Sequence, residues 1–276
     1  MSRPKYIDWL LEEENVILED GKIINCYKLD YKSDSLILDE WAKHIRTHYA
    51  TDEDIEEGSI INGISIEEYL REYIIPQKTD EMGGTARANA WSEIIFSDLL
   101  QFLLGYCVPR CRLYNMSGKT VSEHGTDVIG YKFYNADKEP HINDELVSME
   151  VKAVLSQAKI EVVSSAVAGS KKDEDRISRS LDYYRKKLKM MGKKDEAEDI
   201  KRFQLVTVRE YQTKLLAAGV TSIEELDAKN VEGVEMKVLV GIRGDNLEIA
   251  TGENIFFIHG KRLMDLVHEI FERCIR

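Results

Sequence analysis

Residues 123–159, EHGTDVIGYKFYNADKEPHINDELVSMEVKAVLSQAK, decide how the chain is read. Two strand-like runs, 126–134 and 145–154, flank a polar segment holding Asn135, Asp137, Pro140, Asn143 and Asp144. That pattern predicts a hairpin with a medium-length loop. Side chains alternate faces along a strand, so Glu150 and Lys152 point to one side of the sheet, where the neighbouring strand delivers Asp127. Two carboxylates and an amine then meet on a sheet whose other positions, such as Leu146, Val147, Met149, Val151 and Val154, suit a core. The plainer alternative is three solvated residues on the wet face of an antiparallel sheet.

Upstream, GGTARANAWSEIIFSDLLQFLLGY begins at Gly83 and is apolar around most of a helix, which predicts a buried one. Glu93 interrupts it. It is either a rim charge near the helix start or an acid held at the active end of the sheet. Residues 108–114, VPRCRLY, read as a strand with Arg110 and Arg112 on one face, followed by a polar loop in which Lys119 and His124 face a phosphate or solvent.

Glu93, Asp127, Glu150 and Lys152 together suit metal-assisted phosphodiester hydrolysis. Asp127 and Glu150 supply hard oxygen ligands of the kind Mg²⁺ takes, with Mn²⁺ as a substitute, and the Val151 carbonyl adds a ligand or holds a metal-bound water. Lys152 orients the attacking water, stabilises the developing charge, or takes a proton if desolvation lowers its pKa. Glu93 binds the same ion through water, completes a second ion site, or assists the proton relay.

Helix-borne Glu93, then Gly125-Thr126-Asp127, then Glu150-Val151-Lys152, resembles the core of the PD-(D/E)XK nuclease superfamily. The wider text, LDEWAKHIRTHY, ARANAWSEIIFSDLLQFLLGYCVPRCRLYN, HGTDVIGYKF and ELVSMEVKAVLS, is similar to the HamA family, the nuclease subunit of the Hachiman anti-phage defence system. The resemblance spans residues 34–157 and, more loosely, the remainder. It implies a restriction-endonuclease-like α/β core with a central mixed sheet, and a DNA-degrading effector bound to a superfamily 2 helicase, HamB. Asp127, Glu150 and Lys152 match the nuclease motif and Glu93 its helical acid, while Gly-Thr precedes Asp127 where the motif carries proline. A silent nuclease fold retained as a regulatory or DNA-binding subunit is the alternative.

Composition sets the remaining bounds. A chain of 276 residues with 43% apolar and 32% charged residues is an ordinary globular protein. No apolar run approaches the ~18 residues of a membrane helix, and the opening MSRPKYIDWLLEEENVILED turns acidic, so a cytoplasmic protein is expected. Cys26, Cys107, Cys111 and Cys274 form no paired CxxC and read as buried thiols. The net charge of −12 argues against coating nucleic acid with the bulk surface. Residues 1–80 hold nine Lys and Arg against nineteen Asp and Glu, and are expected to form an acidic N-terminal α/β region, either an appendage packed against the nuclease core of 81–276 or the first layer of it, and a candidate surface for docking a partner.

Within the acidic region, 16–29 predicts a hairpin around Asp20-Gly21, and helices are expected at 34–49 and 66–75. His44 and His48 read as surface histidines. Downstream, a helix is expected over 155–167. Residues 169–202 then carry twelve Lys and Arg against eight acids on a basic-faced helix ending near Gly192. On it Arg176, Arg179, Arg185, Lys186 and Lys187, with Lys119 from the earlier loop, are the candidates for phosphate contacts. A helix over 197–218, a core strand over 235–242, a short apolar run at 254–259 and an amphipathic helix over 261–274 complete the reading.

Overall fold

The computed structural model describes residues 2–17, 23–121, 125–159, 161–205, 210–226 and 255–276. Among them, seven strands form one sheet: β1 (Leu10–Glu12), β2 (Val16–Ile17), β3 (Ile23–Leu29), β4 (Val128–Lys132), β5 (Glu145–Val154), β6 (Gln212–Thr221) and β7 (Ile255–His259). The order is β1-β3-β7-β6-β5-β4, with β2 also paired to β3. The four central strands β3, β7, β6 and β5 run parallel, and β1 and β4 close the two edges antiparallel. Parallel strands are covered on both faces. Accordingly β7, IFFIH, is buried at every position.

The described helices are α1 (Ser35–Tyr49), α2 (Asp52–Asn62), α3 (Ile66–Tyr69), α4 (Gly83–Asp98), α5 (Glu161–Met190), α6 (Lys194–Phe203) and α7 (Leu263–Arg273). Asp34 caps α1 by accepting from the Leu36 and Ile37 amides, and Thr51 with Asp54 forms a capping box on α2. Odd-numbered residues of β5, Val147, Met149 and Val151, pack with α4 and α7. Even-numbered ones face α5, whose Leu181, Tyr184 and Leu188 meet Leu146 and Ile129. The sheet thus has α4 on one face and α5 on the other, and a residue at its end is reached from both.

Residues 1–80 are not hung from this core. Their strand β3 lies beside β7 in the common sheet, and Trp41 of α1 sits between Tyr6, stacked at 4.2 Å, and Trp91 of α4 at 5.9 Å. The segment builds one end of the sheet and part of its covering layer. Part of its acidity, Glu56, Glu57, Glu67 and Glu68 among them, is exposed on α2 and α3.

Several expectations need correction. Residues 108–114 form no strand beyond a single bridge between Cys107 and Tyr131, because Arg110 and Arg112 are drawn inward to two different carboxylates of α4. The helix expected over 155–167 starts only at Glu161 and runs on, unbroken, to Met190. Residues before it form a loop pinned by the Thr221 hydroxyl, which bonds the Val154 and Gln157 carbonyls. The helix expected over 197–218 ends at Phe203, and Gln212–Thr221 is a central strand paired along its full length with β5. Its LLAA reads as helix by propensity, but small residues here let α5 approach: a Cβ on the following Gly219 would lie 3.0 Å from Val162. The apolar run at the C-terminal side is strand β7. Cys26, Cys111 and Cys274 are buried as expected, whereas Cys107 is exposed. The strand over 235–242, His124, Val206, Val208 and the Asp20-Gly21 turn lie outside the described residues; the flanking strands β2 and β3 do pair antiparallel.

Candidate active site

The register of the β4–β5 pair puts Val128 opposite Met149, so Asp127, one step before β4, stands opposite Glu150. Directly opposed side chains in an antiparallel pair lie about 5 Å apart at Cβ. The Val151 N–H donates to Asp127 Oδ2 at 2.9 Å and fixes that carboxylate at the strand end. The Val151 N–H is thereby part of the site. Glu150 is buried against α5, where Gly169 comes so close that a Cβ would fall 2.6 Å from Glu150 Oε1. Lys152 Nζ is bonded to that same Oε1. With its side chain 41% exposed against 10% for Glu150, the amine forms the mouth of the site.

Glu93 approaches from α4, on the other face, and reaches the pair through Arg112. The Arg112 Nε donates to Glu93 Oε2 at 3.0 Å, Nη2 to Asp127 Oδ1 at 3.1 Å and Nη1 to the Thr126 carbonyl at 2.8 Å. The loop carrying Arg112 is held in turn by the Lys187 amine, which donates to the Arg112 and Tyr114 carbonyls, and the Tyr184 hydroxyl donates to the Asp127 carbonyl. Sequence reasoning gave Arg112 no role in the site. The available signal was a pair of arginines in an apolar run, which only a buried acid on a neighbouring element could justify.

Burial pushes the Glu93 carboxyl up to about 8, against the opposing pull of Arg112, and the Asp127 and Glu150 carboxylates add to the rise. Asp127 is raised by burial as well, again against Arg112. Three carboxylates thus share the guanidinium of Arg112 and the amine of Lys152. Among the described residues no group of three or more His, Cys, Asp and Glu is arranged to hold a metal ion. The expected three-carboxylate convergence is split: Asp127, Glu150 and Lys152 are together, and Glu93 joins them only across Arg112. The donor chemistry nonetheless suits a hard divalent cation, since the opposed Asp127 and Glu150 offer anionic oxygens in a region of surplus negative charge.

The basic candidates fare unevenly. Lys187 is buried and committed to two carbonyls, so it cannot meet a phosphate. Lys119 is tied to Asp80 and the Arg71 carbonyl, each at 2.9 Å. Arg185 and Lys186 both bind Asp182 on their own helix, at 2.7 and 2.5 Å. Arg176 and Arg179 are exposed on α5.

A second buried network lies behind Glu93 on α4. Asp98 takes a hydrogen bond from the Tyr6 hydroxyl at 2.6 Å, lies 3.0 Å from His44 Nε2, and pairs with Arg110 Nη2 at 2.6 Å. His48 Nε2 lies 3.0 Å from Arg110 Nη1. The two histidines expected on the surface are therefore interior, drawn in because a fully buried Asp98 requires partners.

The fold and this geometry define a mixed α/β protein with an acidic, cation-lined site at the end of an antiparallel strand pair. The model of the HamA family matches residues 4–274, and the chain belongs to that family. Membership supports a nuclease or effector role in the Hachiman system in general. No curated protein and no solved structure matches the chain. Among the described residues no helix is long and apolar enough to cross a membrane.

Proposed function

We propose that this chain is a metal-dependent deoxyribonuclease with a PD-(D/E)XK core, acting as the DNA-degrading subunit of a helicase–nuclease defence complex. The observation that carries this reading is Asp127 opposed to Glu150 with the Lys152 amine beside them. Asp127 and Glu150 would hold Mg²⁺ or, in its place, Mn²⁺. When bound, the ion lowers the pKa of a coordinated water and polarises the phosphate. Lys152, at the mouth, is set to orient the attacking water and to meet the charge that develops on the phosphate. Arg112 holds Asp127 in place and provides a second cation on its inner side. Glu93, mostly enclosed and with a raised pKa, is suited to exchange a proton near neutral pH.

In the purified complex with the helicase, Glu150→Ala and Lys152→Ala should each cut Mg²⁺-dependent DNA degradation by at least roughly a hundredfold. Unchanged degradation by both variants ends this reading. A silent regulatory subunit is the second reading, favoured by the way Arg112 separates Glu93 from the other two carboxylates. It requires that the complex degrade DNA no better with the wild-type chain than with Glu150→Ala.

The helicase contact is assigned to the acidic surface of α2 and α3, where Glu56, Glu57, Glu67 and Glu68 are exposed. Because residues 1–80 build the sheet, their removal would unfold the chain, and charge reversal is the cleaner test. Lys at these four positions should weaken capture of the helicase, and full capture refutes the assignment.

A further inference from the structure

Two of the carboxylates at the site, those of Glu93 and Asp127, are joined by one guanidinium. Arg112 reaches the first through Nε at 3.0 Å and the second through Nη2 at 3.1 Å, and its Nη1 donates to the Thr126 carbonyl at 2.8 Å. The planar fork of an arginine can hold two different acids in this way, and it stays charged throughout the working pH range. In a two-ion site, a cation set between two such acids is the second metal. Here a residue of the chain fills that place.

Two observations make the guanidinium a fixture. Its loop is pinned from three directions: the Lys187 amine bonds the Arg112 and Tyr114 carbonyls, the Tyr114 hydroxyl donates to Asp54 at 2.9 Å, and the Asn115 N–H donates to the Tyr49 carbonyl at 3.3 Å. The space lined in common by Glu93, Arg112 and Asp127 is also small, about 20 Å³, which is room for a single water. Mg²⁺ usually keeps several waters, each with a share of ~30 Å³ in the liquid. A hydrated ion therefore does not fit beside Arg112. Across Asp127 the neighbouring cation is of another kind. The Lys152 amine is a point charge on a flexible stem, 41% exposed at the mouth, and is free to swing aside for an ion between Asp127 and Glu150.

We propose that Arg112 stands in for a second divalent cation, so that the site binds one ion, between Asp127 and Glu150, and Glu93 is not a metal ligand. The inference rests on the deoxyribonuclease reading for that one ion. A cavity of about 180 Å³ between α4 and the loop after Arg112, lined by Glu93 and Arg112, opens on the far side of this pair. Shortening Arg112 would connect that cavity to Asp127 and make the vacated place reachable.

Mn²⁺ binding to the purified full-length chain, read from the loss of the free-ion electron paramagnetic resonance signal, counts ions without DNA or turnover. Ions at the site are those missing from the Asp127→Asn version of the same chain, which discounts the acidic surface. The wild type should bind one, Glu93→Gln should still bind one, and Arg112→Ala should bind two. Adding Glu93→Gln to Arg112→Ala should return the count to one, a result that a merely structural role for Arg112 would not produce. Thermal melting establishes that each variant is folded, and the wild type with Glu93→Gln decides the matter if Arg112→Ala is not.

Two site ions in the wild type, or loss of the single ion in Glu93→Gln, overturns the proposal and leaves the nuclease reading standing. One ion in folded Arg112→Ala overturns it as well. No site ion in the wild type, or an ion indifferent to Glu150→Ala, removes the nuclease reading and the proposal with it.

Discussion

Two buried networks start from arginines two residues apart, and each captures a carboxylate of the same helix. Arg110 holds Asp98 and Arg112 holds Glu93. The first is balanced: one acid meets one guanidinium, a tyrosine hydroxyl and the His44 imidazole, with His48 bonded to the guanidinium. There, although burial alone would raise it, Arg110 and His44 bring Asp98 down to about 2. Burial and Arg110 push His48 well below the usual imidazole range, so it stays neutral. In the second, three carboxylates share Arg112 and Lys152, and Glu93 is driven up to about 8. The same loop therefore builds one network that is finished by the protein itself and one that is short of positive charge. A deficit of that kind stores a preference for an external cation, whereas a balanced network only stabilises the fold.

The comparison is broken most directly at the arginines. Arg110→Met strands a fully buried Asp98 and should cost about 3–5 kcal/mol in urea unfolding. Arg112→Met should cost clearly less, because Glu93 can take up a proton when its partner is gone. Equal losses would mean that the two networks do not differ in charge balance.

The pH dependence has opposite signs in the two networks. Glu93 binds its proton more tightly in the folded state, so wild-type stability falls, relative to Glu93→Gln, as the pH rises from about 4.5 to about 8. The gap should reach on the order of a few kcal/mol above that range. Asp98 is the reverse: its contribution is present above pH 3.8 and is lost as the pH falls through about 2. Urea unfolding of the wild type, Glu93→Gln and Asp98→Asn across pH 2–9 checks both signs, and parallel curves contradict the assignment. A smaller effect is expected at Gly169. A methyl group there collides with Glu150, so Gly169→Ala should cost about 1–3 kcal/mol through overpacking and should lower DNA degradation without removing a charged group. Unaltered melting together with unaltered activity would show that α5 does not constrain Glu150.

Much of the site could be read in the chain because strand alternation acts over a few residues. The spacing of Glu150 and Lys152, the strand-like run after Asp127 and the apolar surroundings of Glu93 all follow from local pattern. Arg112, His44, His48 and Asp98 could not be read this way. Their roles depend on which acid of α4 lies within reach, and that is a contact between elements far apart in sequence. Strand β6 was missed for a related reason. Its Leu215, Leu216, Ala217 and Ala218 favour a helix locally, but pairing with β5 and the close approach of α5 outweigh an intrinsic preference of well under 1 kcal/mol per residue.

By itself, then, the sequence determined a mixed α/β protein, a hairpin bearing Asp127, Glu150 and Lys152, a buried helix bearing Glu93, and membership of a nuclease family. Tertiary structure decided that Glu93 enters from the opposite face of the sheet, that Arg112 stands between it and Asp127, and that a cavity opens on its far side. The physical reason is range. Periodicity and propensity are set by neighbours a few residues apart, while the ionisation of a buried acid is set by every charge that folding brings within several ångströms.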